Sequence, residues 1–109
     1  MNMNEYQEKA MEFAVFESAH YPFYALAEEV GEVLGLVAKA ERGDDLIERF
    51  GSREATREKV VKELGDVLWQ LQACCLVLGL TLEEVAEANI AKLEDRKARD
   101  VLKGSGDDR

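Results

Sequence analysis

Two short stretches of the chain have residue types and spacing suited to chemistry. Glu28 to Leu34 reads EEVGEVL and Lys62 to Leu68 reads KELGDVL, so Glu, aliphatic, Gly, acid, Val, Leu is written twice, 34 positions apart. Each copy holds an acidic pair at i, i+3: Glu29 with Glu32, and Glu63 with Asp66. On a helix, Leu26, Val30, Val33 and Val37 make one apolar stripe, and Val60, Leu64, Val67 and Leu71 make another. At about 100° per residue, both pairs sit at about 300° and about 240° from the first residue of their stripe. The four carboxylates therefore share one flank of two seams, and antiparallel packing along those seams would turn them toward a common groove.

Such a groove needs positive charge, since two unit charges about 4 Å apart cost about 4 kcal/mol at an effective dielectric near 20. Oxygen ligands without His or Cys select a hard cation, Mg²⁺ or Mn²⁺, which ordinarily keeps positions open for water and phosphate oxygens. In a chain with 23 acids, one i, i+3 acidic pair is usually a solvated helix face. Two pairs with the same offset are what single this one out. Glu28, at about 200° from Leu26, points nearer the outside of its helix and is a candidate for handling a water.

A second feature lies further along. Leu82, Val85, Ala86 and Leu93 define an apolar stripe with Asn89 in its middle and Lys92 and Arg96 on its edge. A buried carboxamide needs partners. Two readings stay open: a structural bond to a neighbouring helix, or contact by Asn89, Lys92 and Arg96 with the sugar and phosphates of a nucleotide.

The elements that must position these residues are all helical, because patterns of period 3.6 cover most of the chain and there is a single proline. A first helix is expected from Asn4 to about Glu17, and a second from Pro22, suited to a first turn, to about Glu41. The two-glycine segment Glu41 to Ser52 reads as a loop with room for a short helical turn. Ser52 caps a third helix to Leu78, stopped by Gly79, and Thr81 with Glu84 is a capping box opening a fourth helix to about Arg99. The expectation is an all-α four-helix bundle over residues 1–100, with a short charged tail at 101–109 that orders only against a ligand or partner. Gly31 and Gly65, inside helices at about 1 kcal/mol each relative to Ala, suggest close helix approach or space beside the acids.

Composition narrows the function. With 109 residues the chain forms one small core, so oligomerisation is expected to add stability. A balance of 14 basic against 23 acidic residues, net −9, argues against nonspecific nucleic-acid binding. No apolar run approaches the roughly 18 residues of a membrane span, and no signal peptide is legible. Cys74 and Cys75 are adjacent, unsuited to a disulfide framework or a zinc site, and read as buried thiols in a reducing cytoplasm. His20, the sole histidine, reads as a loop residue before Pro22.

These residues resemble the MazG-like all-α nucleoside triphosphate pyrophosphohydrolases. Glu28-Glu29-Val30-Gly31-Glu32 and Glu63-Leu64-Gly65-Asp66 match that family's Glu-Glu-x-x-Glu and Glu-x-x-Asp motifs. Asn89-Ile90-Ala91-Lys92-Leu93, followed by Arg96, resembles its Asn-x-x-Lys-Leu segment, and Tyr6-Gln7 more weakly resembles its first helix. The chain departs at Lys97-Ala98, where many relatives have Tyr-Pro. The resemblance implies metal ligation by Glu29, Glu32, Glu63 and Asp66, with Asn89, Lys92 and Arg96 as candidate substrate contacts. It implies Mg²⁺-dependent hydrolysis of a nucleoside triphosphate to monophosphate and pyrophosphate, with Glu28 or a ligand acid acting on the water. It also implies a homodimer or dimer of dimers. Phosphoribosyl-ATP pyrophosphohydrolase shares the fold and motifs, and a non-catalytic helical dimer that binds nucleotide or metal is the alternative of another class.

Overall fold

The computed structural model describes residues 1–109, which form five helices and no strands: α1 (Met3–Met11), α2 (Tyr21–Glu41), α3 (Leu46–Phe50), α4 (Arg53–Val77) and α5 (Leu82–Ala98). The helix starts follow side-chain chemistry. Asn2, Asp45 and Ser52 each accept from backbone N–H groups of the first turn, and Thr81 with Glu84 forms the reciprocal capping box. Gly51 at φ 99° and Gly79 at φ 73° take the left-handed conformation that ends α3 and follows the end of α4. The loop expected between the second and third long helices holds one real turn of helix, α3, so the count is five rather than four.

The first helix stops at Met11, six residues short of the expected Glu17. Phe13 to Phe16 are four consecutive apolar residues, which no single helix face can bury. Phe16 instead leaves the helical path to stack on Tyr21 and meet Trp69 edge-on, with ring centroids 5.9 and 6.2 Å away. The Trp69 indole donates to Ala10 O at 3.1 Å, satisfying a terminal carbonyl of α1. Buried Gln7 ties α1 to the α4–α5 corner: its amide donates to Gln72 O and Leu80 O, and its Oε1 accepts from Leu82 N.

Helices α2 and α4 make the principal packing and run antiparallel, since Glu29 lies among Glu63 and Asp66 while Glu32 lies toward Lys59, a turn earlier in α4. The seam is not the expected one. In α2 the covered row is Pro22, Ala25, Leu26, Glu29, Val33 and Leu36; in α4 it is Thr56, Lys59, Val60, Glu63, Val67 and Gln70. Both rows are turned by roughly 60° from the predicted stripes, toward the acids. Apolar residues lie on more than one face of each helix, so periodicity names an apolar arc without choosing its inward edge. Consequently Val30, Leu34 and Val37 on α2 and Val61, Leu64, Leu68 and Leu71 on α4 stay exposed. Gly31 and Gly65 are exposed too, and a Cβ at either would meet nothing within 4 Å, so close helix approach within the chain does not account for them.

The core is thin. Only 13 of 109 residues are buried, among them Ala73, Cys74 and Cys75. The radius of gyration is 17.2 Å, against about 13 Å for a compact chain of about 100 residues. No single helix is long and apolar enough to cross a membrane.

Candidate functional site

The matching turn of the two seams carries Glu29 and Glu63 into the α2–α4 contact instead of leaving them on its flank. Glu63 is buried and Glu29 half-buried, with exposed Asp66 beside them. One carboxylate oxygen from each of Glu29, Glu63 and Asp66 lies within 4.8 Å of the other two. Desolvation pushes the Glu29 carboxyl above the usual range, and the charges of Asp66, Glu28, Glu63 and Glu32 add to the effect. An all-carboxylate oxygen set of this spacing fits a hard divalent cation better than a soft one.

Glu32 and Glu28 are exposed and stand outside that trio, near enough for their charges to act on Glu29. Lys59 was not among the residues singled out in the sequence. Its Nζ lies 2.7 Å from Glu63 Oε1, and Glu32 and Asp66 also favour its charged form. The signal was legible as a lysine four residues before Glu63, a pairing that ordinarily marks a surface helix. Tyr6 was also missed as a neighbour of the acids: burial raises its phenol, and the charge of Asp66 raises it further. Nothing local in the sequence predicts that approach, which depends on where α1 docks.

The three residues of α5 part company. Asn89 is exposed rather than buried between helices, and it lines a groove between α1, α4 and α5 together with Tyr6, Leu68, Leu71, Leu82 and Val85. Lys92 and Arg96 turn to the tail, where Asp107 Oδ1 lies 3.2 Å from both Lys92 Nζ and Arg96 Nη2. Arg96 Nη2 also donates to Gly106 O at 3.3 Å and Asp107 O at 3.0 Å, while its buried Nε has no partner. These hydrogen bonds hold the Asp107 carboxyl below the usual range. The tail folds back on α5 through Arg96 and Lys92, and within the tail Arg109 donates to Val101 O and Leu102 O.

Among known proteins, one family model matches this chain. The family model for the MazG nucleotide pyrophosphohydrolase domain matches residues 18–100, which contain both acidic motifs and all of α5. Gene 37 protein of Mycobacterium phage L5 is 31% identical over 118 aligned residues that span the whole of both chains. Uncharacterized protein YvdC of Bacillus subtilis (strain 168) is 33% identical over 72 residues, covering 65% of this chain and 68% of that one. No solved structure gives a significant match. A match across most of the chain, enclosing the very carboxylates that the fold draws together, places this protein in the MazG nucleotide pyrophosphohydrolase domain family.

Proposed function

We propose that the protein is a Mg²⁺-dependent nucleoside triphosphate pyrophosphohydrolase, releasing nucleoside monophosphate and pyrophosphate, and that it works as a homodimer or dimer of dimers. The observation that carries this reading is the meeting of Glu29, Glu63 and Asp66 within 4.8 Å. Glu32, on the edge of the cluster, is the proposed fourth ligand. When bound, Mg²⁺, or Mn²⁺ in its place, supplies Lewis acidity toward a phosphate oxygen and lowers the pKa of a water.

The chain's own residues have separate tasks. Glu29 and Glu63 are pre-placed by the α2–α4 packing, so little side-chain entropy is lost in assembling the donor set. Lys59 balances Glu63 before the cation arrives. Glu28 sits on the solvent side of the cluster, where it can orient or deprotonate the attacking water as pyrophosphate leaves in line. Oligomerisation is supported by the thin core and by the aliphatic rows left exposed on α2 and α4.

A chelation experiment tests the reading. EDTA should abolish pyrophosphate release from nucleoside triphosphates and added Mg²⁺ or Mn²⁺ should restore it. Full activity in thoroughly chelated protein would remove the metal centre. Binding of nucleotide with no pyrophosphate release would leave a silent binder in its place.

A further inference from the structure

We propose that residues 101–109 are an autoinhibitory strap: Asp107 fills the anion position between Lys92 and Arg96 with the chain's own carboxylate, and a polyphosphate anion opens the strap by displacing it. The segment lies outside residues 18–100, the part of the chain that the family model matches. The proposal rests on the hydrolase reading only for what the strap inhibits, because a closed strap withholds both cations from a phosphorylated substrate. Its opening is a binding event that needs no catalysis.

The strap is a small closed unit. Arg109 donates to Val101 O, Leu102 O and Gly106 O, and a Cβ added to Gly104 would run into the Arg109 side chain. The chain leaves α5 at Asp100, whose φ of 57° makes it the one non-glycine residue in the left-handed region. Asp accepts that conformation more readily than most residues, so a single position sets the fold-back.

What holds the strap down is narrow. Arg96 Nη2 donates to Gly106 O, Asp107 O and Asp107 Oδ1, and Lys92 Nζ shares that same Oδ1. Beyond these, one further side-chain bond joins the strap to the end of α5, from Arg99 to Arg109 O. The fit is also incomplete: Asp107 engages Nη2 alone, and the buried Nε of Arg96 has no partner. A phosphate group offers oxygens to Nε and Nη2 together, the bidentate pairing that a guanidinium favours, and brings more charge to Lys92. The Asp107 side chain is 83% exposed where that of Arg96 is 6% exposed, so an anion reaches the contact without unfolding the helix.

The test is hydrogen exchange over the backbone amides of residues 101–109 in the full chain, held in EDTA so that no metal ion bridges the anion to the carboxylate cluster. Inorganic pyrophosphate and a nucleoside triphosphate are added separately, with sodium chloride at matched ionic strength as the control. Polyphosphate should speed exchange over the strap about fivefold or more, while the chloride control, and α4 throughout, change by less than about twofold. In calorimetry, Asp107→Asn should bind pyrophosphate about fivefold more tightly than the parent, and Lys92→Gln added to it should cancel the gain. Opening by the triphosphate alone would confine the trigger to nucleotides and still support the strap. Strap exchange that is unchanged or slowed by both anions would overturn the proposal, as would pyrophosphate affinity in Asp107→Asn equal to or weaker than that of the parent. Because nothing is turned over, opening of the strap in a protein that releases no pyrophosphate with Mg²⁺ would sink the hydrolase reading and leave the strap standing.

Discussion

Lys59 is a cation already installed at the acidic cluster proposed to hold a metal ion. Its Nζ sits 2.7 Å from Glu63 Oε1, so a metal ion reaching Glu63 must break that ion pair. Lys59→Ala should therefore tighten Mn²⁺ binding several-fold in titration calorimetry, a gain of about 1 kcal/mol; weaker binding would mean that Lys59 supports the metal site instead of competing with it. Glu29 gives a pH prediction. Its carboxyl is raised by burial and by four neighbouring acids, so the folded state disfavours its ionised form. In metal-free protein the resulting destabilisation is fully present above the raised pKa, and it fades as pH falls through that value to the ordinary carboxylate range. Glu29→Gln should then raise the melting temperature of metal-free protein at neutral pH, with the gain disappearing on acidification, and should weaken Mn²⁺ binding. A melting difference that is the same at every pH would show that the charge of Glu29 is not strained.

At the scale of elements, the helix boundaries were largely written in local chemistry: Ser52, Gly79 and the Thr81–Glu84 box act where their residue types direct. What was not legible was rotation. Val30 and Val37 fit an apolar stripe as well as Leu36 does, and only the docking of α2 on α4 decides that Leu36 is buried and the two valines exposed. The same tertiary choice brought Glu29 and Glu63 inward, so the nearness of the acids on α2 and α4 was readable in the repeated motif while the burial of two of them was not. Asn89 shows the converse, since its place in an apolar stripe suggested burial and the groove leaves it exposed. Gly65 supplies a test at this scale. Its missing Cβ would meet nothing within 4 Å, so Gly65→Ala should stabilise an isolated chain by about 1 kcal/mol through helix propensity. A destabilised variant that also dissociates would place Gly65 against a second copy.

The molecule as a whole is too open for its length, at 17.2 Å radius of gyration, and its uncovered aliphatic rows lie on the two helices that carry the clustered acids. Covering those rows with a second copy would supply the apolar burial that the thin core lacks, at about 25 cal/mol per Å². Leu64, 50% exposed in the row beside the acids, is the position to probe. Leu64→Glu should shift the protein toward monomer in light scattering and lower its melting temperature, and an unchanged mass would leave the row uncovered. On the reading proposed above, Glu29, Glu63 and Asp66 hold a metal ion where the α–β anhydride of a nucleoside triphosphate is hydrolysed. The most direct measurement is product analysis of deoxynucleoside triphosphates incubated with Mg²⁺ and either the parent protein or Asp66→Asn. The parent should yield monophosphate and pyrophosphate, and Asp66→Asn should be slower by about tenfold or more, at least about 1.4 kcal/mol of barrier. Release of diphosphate and inorganic phosphate, or an Asp66→Asn rate equal to that of the parent, would contradict it.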